Sequence, residues 1–305
     1  MSPTRWPSLS DQYAVAQLVY GGEGRRVVDD WMSEQAARVD DPEFAAQFSE
    51  VRLPGISPGE FAHRLVGSSR GALLGGIRFR GRDIARPFIE VVAHDFEDLD
   101  DLRDCVRSEW AAFAPGALRL YAAPGRLTGA RVVTDLTVHA ARCRDMAAAD
   151  GRVELDRFAT GDEAVRLVAR AYRGLASTDP ALRRNIFPAD AEALTAWCAA
   201  GRAHAVRAGG RTVGLLAVAP GRVHWLEGDE IQEEVIDPEH VGRGYAASAQ
   251  ARWARLHGAP DRLLLGTIDR LNTASRRTAL RAGRPAVLEA VFAALGRGEA
   301  QRRFP

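Results

Sequence analysis

Two groups of residues near the end of this 305-residue chain could do chemistry. The first is "HVGRGYA", His240 to Ala246, which places Gly242 and Gly244 one residue apart where a strand gives way to a helix. A helix N-terminus presents unpaired N–H groups and the positive end of a dipole, so it attracts anions. Glycine lets the backbone approach a ligand and take positive φ, and Arg243 adds a guanidinium. Together they read as a phosphate cradle. It is not the dinucleotide fingerprint, because Ala247 stands where a third glycine would be needed. A Walker loop is excluded because the chain contains no lysine; all 41 basic residues are arginine. The second group is "EIQEEVID", Glu230 to Asp237, with three carboxylates within five residues. Strict strand alternation puts Glu230, Gln232, Glu234 and Ile236 on one face, and Glu233 and Val235 on the other.

These groups need elements to hold them. "RVELDRFATG" alternates as a strand. Thr160 and Glu163 then have capping-box spacing ahead of a helix whose apolar residues recur with helical period. A second helix follows at "AEALTAWCAAG". "AHAVRAGGRTVGLLAVA" reads as a hairpin turning at Gly209-Gly210, and "RVHWLEG" as a further short strand. The strand ending at Pro238 precedes the helix "YAASAQARWARLHG". Then come a buried strand "RLLLGTI", a helix with Asn272 as N-cap and Gly283 past its end, and a last strand "AVLEAVFAAL". The run from Glu230 to Ile268 is a strand-helix-strand crossover, which requires parallel neighbours.

The first half repeats this order with one helix fewer. Two helices, "SDQYAVAQLVY" and "GRRVVDDWMSEQAARV", precede strands "GALLGGIRFRG" and "RPFIEVVAH". The helix "EDLDDLRDCVRSEWAAF" and strands "ALRLYAA" and "ARVVTDLTVHAA" complete it. A diverged internal duplication is expected, with domains at 1–148 and 149–305.

Composition narrows the function classes. Hydrophobic residues make up 46% and charged residues 27%, a globular profile, and the net charge of +1 gives no basic field for nucleic acid. No apolar run of eighteen residues suggests a membrane span, and the N-terminus does not read as a secretory signal, so a cytoplasmic protein is expected. Cys105, Cys143 and Cys198 are scattered and odd in number, which gives neither a disulfide framework nor zinc spacing. No metal is expected.

The order strand, glycine bend, helix, strand, capped helix resembles the GNAT superfamily of acyl-CoA N-acyltransferases, over roughly Arg152 to Leu295. The family's Q/R-x-x-G-x-G/A loop aligns with Val241-Gly242-Arg243-Gly244-Tyr245-Ala246. Gly244 and Ala246 fit; Val241 replaces the usual Gln or Arg, and Arg243 offers a substitute cation. The resemblance implies an α/β fold, two GNAT-like domains each with a mixed, mostly antiparallel sheet, flanking helices and a splayed strand pair. It implies acyl-CoA, such as acetyl-CoA, as co-substrate. Ile236 would supply the backbone contact to the pantetheine arm, Val241 to Ala246 the pyrophosphate loop, and Asn272 and Ser275 would lie near the arm or the nucleotide. Glu234, then Glu233, would serve as the base; Glu230 also stands near, as does Gln232 where the family often has Glu. The family's tyrosine acid falls at Ala279 and is missing, leaving His240, Ser275 or Tyr245 as substitutes. Arg284 replaces a usual aromatic. The first half lacks a glycine junction, and the acids of "EVVAHDFEDLDDLRD" would repel a pyrophosphate. The expected function is transfer of an acyl group to a small-molecule amine. The alternatives are the same chemistry with an acyl-carrier-protein donor, a non-catalytic ligand-binding or scaffold protein, or a bend serving another phosphate-bearing metabolite.

Overall fold

A computed structural model describes residues 6–48, 52–129 and 131–296. The chain runs α1 (Ser10–Tyr20), α2 (Gly24–Ala37), α3 (Pro42–Ala46), β1 (Arg64–Ser68), β2 (Gly71–Phe79), β3 (Pro87–His94), α4 (Leu99–Glu109), β4 (Ala117–Ala122) and β5 (Val132–Arg142). It continues with β6 (Glu154–Arg157), α5 (Gly161–Thr178), α6 (Pro180–Arg183), α7 (Ala191–Ala199), β7 (Ala203–Ala208), β8 (Arg211–Val223) and β9 (Leu226–Ile236). Last come α8 (Tyr245–Leu256), β10 (Leu263–Asp269), α9 (Thr273–Arg281) and β11 (Ala286–Ala294).

Two compact units emerge. Unit 1 comprises the chain up to Leu136 together with the segment from Leu288 onward; unit 2 is Thr137–Val287. In unit 1 the strand order is β1-β2-β3-β4-β11, with β3 and β4 parallel and the other pairs antiparallel. In unit 2 it is β5-β10-β9-β8-β7-β6, with β9 and β10 parallel and β9-β8-β7-β6 antiparallel. The fold is therefore mixed α/β, with a mostly antiparallel sheet and a parallel pair in each unit, β3–β4 in one and β9–β10 in the other.

The contiguous halves 1–148 and 149–305 are not these units. The last strand leaves the second half: β11 pairs antiparallel with β4, from Glu289↔Ala122 to Ala294↔Ala117. Buried Val291 and Ala293 join the unit 1 core with Leu118 and Leu120. In exchange, the C-terminal part of β5 belongs to unit 2, next to β10 in strand order.

Local chemistry explains most elements. Thr160 caps α5 by accepting from the Glu163 N–H, and Asp190 caps α7 through Ala193. Gly209 and Gly210 both take positive φ at the β7–β8 turn, as a two-residue hairpin demands. The segment "RVHWLEG" is not a separate strand. It is the tip of the β8–β9 hairpin, turning at His224-Trp225, because β8 and β9 pair without a break as far as Val223↔Leu226. The short edge strand β1 was not expected from the sequence.

Candidate functional site

The site in unit 2 begins with an irregularity in β9. Ala217 of β8 pairs with Glu233 while the next residue, Val218, pairs with Ile231, so Gln232 is an extra residue in a β-bulge. A bulge reverses the alternation of side chains across it. Ile231 accordingly packs with Ala249, Trp253 and Leu264 on the α8 side, whereas Val235 packs with Leu167, Val168 and Leu194 on the α5–α7 side. Glu234 takes the α8 face and Glu233 the opposite one. Glu230, on the other side of Ile231, does not share a face with Glu234, contrary to the alternation expected from the sequence.

The two carboxylates then differ in what they do. Glu233 is 6% exposed. It accepts from the Tyr172 hydroxyl at 3.3 Å and from the Ala189 N–H at 2.9 Å, tying α5 and the entry of α7 to β9. Burial raises its pKa and these donors oppose the rise. Glu234 accepts both its bonds from the Gln250 amide of α8, at 3.0 and 2.9 Å. Burial pushes its pKa up to about 7, against the pull of Arg284 and the Gln250 donor and with the repulsion of Glu233.

Next to these residues the sheet opens. β9 and β10 pair only at Asp229↔Leu264 and Glu230↔Leu265; beyond them no ladder pair joins the two strands among the described residues. Ile236 lies on the parted stretch, its outer edge paired with Gly214 of β8. A cleft of about 410 Å³ lies alongside, lined by Glu234, Ile236, Val241 and Asn272 together with Tyr172 and Leu175 of α5.

The glycine bend follows. Gly242 and Gly244 have φ of +79° and +78°, the region that favours glycine. Gly244 is the N-cap of α8; no side chain caps the helix there, and no acidic residue occupies its first turn. Its amide groups are thus left to an anion. A second cleft, about 440 Å³, is lined by Gly242, Arg243, Gly244 and Ser248, with Arg152 and Arg281. Arg152 donates to the Arg243 carbonyl at 3.1 Å and pairs with Asp150 at 2.6 Å.

The expected site residues thus divide between two clefts of one unit. Glu234, Ile236, Val241 and Asn272 line one; Gly242, Arg243 and Gly244 line the other. Tyr245 packs against the core beneath α8, and Ala246 stands in the first turn of that helix. Ser275 donates its backbone N–H to the Asn272 side chain at 3.0 Å, so Asn272 both caps α9 and faces the cleft. Val241 is 61% exposed and brings no polar group to the bend. Sequence reasoning missed Tyr172, Gln250, Arg152 and Arg281, and gave Arg284 no role. Gln250 had left a signal: a polar residue inside the Ala247–Ala254 stretch, on the face of α8 that packs inward. Among the described residues no group of three or more His, Cys, Asp or Glu is placed to hold a metal, and no helix is long and apolar enough to cross a membrane.

Unit 1 repeats the parting without the opening. β3 and β4 pair from Phe88↔Ala117 to Glu90↔Arg119 and then separate. The freed backbone is taken by the N-terminal segment: Ser8 Oγ accepts from the His94 N–H at 2.8 Å, and Gln12 Nε2 donates to the Tyr121 carbonyl at 3.2 Å. At the start of α4, Asp98 accepts from the Asp100 N–H, and Asp100 and Asp101 fill the first turn. Carboxylates stand where an anion would bind.

No family profile matches the sequence, and no curated protein is significantly similar to it. Several solved structures are similar to the chain. An acetyltransferase from the GNAT family of Colwellia psychrerythraea is 10% identical, with a TM-score of 0.46 over 81% of this chain and 92% of that chain. A GCN5-related N-acetyltransferase from Sphaerobacter thermophilus is 15% identical, with a TM-score of 0.45 over 98% and 95%. A tandem GNAT protein from the clavulanic acid biosynthesis pathway is 13% identical, with a TM-score of 0.40 over 87% and 96%. The strand order of each unit, the parallel pair that parts, and the glycine bend that carries β9 into α8 agree with the fold expected from the sequence.

Proposed function

We propose that the chain is a cytoplasmic N-acyltransferase, with its centre in unit 2, that moves an acyl group from acyl-CoA to the amine of a small molecule. The observation that carries this reading is the convergence, in one unit, of three features: the parted β9–β10 edge, an α8 N-terminus without a cap, and Glu234 on the wall of the adjoining cleft. The backbone about Ile236 suits the amide-bearing arm of a pantetheine. Gly242, Arg243 and Gly244, reinforced by Arg152 and Arg281, suit a diphosphate. Asn272 and Val241 line the Glu234 cleft beside that backbone.

The donor supplies a thioester carbonyl. A neutral amine attacks it, the new N–C bond forms and the C–S bond breaks. The proton lost by the amine passes to Glu234, directly or through water, and the thiolate departs or is protonated from solvent. A carboxylate raised toward neutrality takes up a proton better than an ordinary one. Ala279 is fully buried on α9, so no acid stands at that position. Tyr172, whose hydroxyl burial and Glu233 keep protonated, is the phenol on the cleft wall.

Unit 1 is read as a degenerate copy that retains the fold and lacks donor binding. The test of the whole reading is mass-spectrometric detection of acylated product from acetyl-CoA and a panel of small amines, paired with calorimetry of coenzyme A. Absence of heat with coenzyme A, together with product from an acyl-carrier-protein thioester, transfers the donor role to the carrier; exposed Val241, where a phosphate ligand is usual, favours that second reading. Donor binding without any acylated amine makes the chain a non-catalytic binding protein.

A further inference from the structure

Behind Glu234 lies a buried polar chain that the reaction above does not use. Gln250, 1% exposed, gives its amide N–H groups to Glu234 and receives on Oε1 the Nε–H of Arg284 at 3.0 Å. Arg284, 3% exposed in the turn between α9 and β11, also donates to the His139 carbonyl at 3.3 Å. The His139 ring nitrogen Nδ1 meets the Arg284 carbonyl at 2.9 Å, and its Nε2 meets Thr137 Oγ1 at 3.1 Å. Gly283 shapes the turn that carries Arg284, while Gly266 lies at ordinary contact distance beside it. A Cβ on Gly266 of β10 would stand 3.5 Å from the guanidinium, and Gly283, at φ +87°, would place a Cβ 2.7 Å from the Ala147 nitrogen.

A glutamine amide can present either end to a partner. Arg284 has only donors, so Oε1 must face it and the NH₂ must face Glu234. The guanidinium makes no ion pair of its own among the described residues, and the carboxylate whose charge acts on it is Glu234, joined to it through the amide. A buried cation without a counter-ion is costly, so ionised Glu234 and charged Arg284 each compensate the other.

We infer that Gln250 and Arg284 are positioning residues: Arg284 orients the Gln250 amide, and the pair fixes the Glu234 carboxylate and favours its ionised form for proton uptake. The inference rests on the reading of Glu234 as the base. The groups around Glu234 are Gln250 from α8, Arg284 from the α9–β11 turn, Tyr172 from α5 across the cleft, and Glu233 beside it on β9; His139 of β5, with Arg276 of α9 acting on it, stands behind Arg284. Arg284 is the cation of this set acting on Glu234, and burial and Glu233 oppose it.

Two readouts separate this inference from the proposed activity. The first is thermal stability at pH 5 and pH 9 for the full chain and for Arg284→Met, Glu234→Gln and the double variant. With Glu234 protonated at pH 5, the loss of Arg284 matters less; at pH 9 an ionised Glu234 is left without its cation. The Arg284→Met penalty is therefore larger at pH 9, and this pH dependence disappears in the Glu234→Gln background. A penalty equal at both pH values in both backgrounds overturns the inference, whether or not any amine is acylated. The second is the pH profile of kcat/KM for an acylated amine. Arg284→Met and Gln250→Met move its acid limb upward by about one pH unit, about tenfold in rate on that limb, with donor KM unchanged, and Arg284→Lys restores part of the shift. A uniform fall in kcat with the limb unmoved also overturns it. Should Arg284→Met fail to fold, Arg284→Lys and Gln250→Met carry both measurements.

Discussion

Glu233 and Glu234 are adjacent in the chain, yet the bulge at Gln232 leaves them on opposite faces of β9 with different partners, Tyr172 and Ala189 for one and Gln250 for the other. Substitution should separate their roles. Glu234→Gln removes the proton acceptor and should lower kcat by about a hundredfold or more, with coenzyme A affinity unchanged by calorimetry. Glu233→Gln should keep most of kcat and instead cost roughly 1–3 kcal/mol in urea unfolding, because two buried donors lose their charged acceptor. The wild-type pH profile carries a further sign. A base must be ionised, and Glu234 is raised to about 7, so kcat/KM should fall as pH drops through about 7 and level off above it. An acid limb near the ordinary carboxylate range would remove Glu234 from the role.

The bend at Gly242–Gly244 should report donor binding directly. Alanine at Gly244 must hold φ +78°, at about 1–2 kcal/mol, and its Cβ would meet the Arg152 guanidinium at 3.3 Å. Gly244→Ala should weaken coenzyme A binding measurably. Val241→Arg should act in the opposite direction: an exposed cation beside a diphosphate is worth about 0.5–1 kcal/mol, roughly two- to fivefold in affinity, and the gain should fade at high salt. Calorimetry at two ionic strengths measures both. An unchanged affinity in both variants would place the diphosphate elsewhere.

Much of this was legible in the chain because local chemistry decides it. Thr160 and Asn272 cap α5 and α9 as their side chains dictate, and Gly209-Gly210 and Gly242–Gly244 sit where positive φ is needed. What was hidden depends on pairing at a distance. A bulge is one extra residue, and nothing in the composition of "EIQEEVID" marks Gln232 as that residue. The alternation of β11 reads the same whether its partner is β4 or a strand of its own half. Arg284 stands 34 residues from Gln250, so no local pattern joins them, although an arginine between Gly283 and Pro285 has few ways to point. Arg152 and Arg281 reach the bend from outside the motif, and in a chain whose every cation is arginine neither stood out.

The exchange of strands makes the contiguous second half a poor fragment. Residues 149–305 alone would carry β11 without β4, exposing Val291 and Phe292, and would leave β10 without β5. An apolar strand without its partner is an aggregation site. The fragment is expected to be insoluble or to lack the dispersed amide spectrum of a folded domain. Residues 137–287, which keep the C-terminal part of β5 with β10 and omit β11 from Leu288 on, should be the better behaved of the two. Equal dispersion in nuclear magnetic resonance spectra of both fragments would show β11 to be dispensable.

Unit 1 predicts the stoichiometry. Its parted strands already spend the His94 N–H on Ser8 and the Tyr121 carbonyl on Gln12, and its α4 begins among Asp98, Asp100 and Asp101. A pantetheine arm would have to displace both side chains, and a diphosphate would meet three carboxylates at a helix start whose counterpart in unit 2 has no acidic residue in its own first turn, the neighbouring Asp150 being paired with Arg152. Titration should therefore saturate at one coenzyme A per chain. The double variant Ser8→Ala, Gln12→Leu should lose about 1–3 kcal/mol of stability through two lost hydrogen bonds without raising that number, because emptying the parting leaves the acids in place. A second equivalent bound by the wild-type chain would mean that the N-terminal segment yields to the donor. In that event unit 1 would be a working site rather than a sealed one.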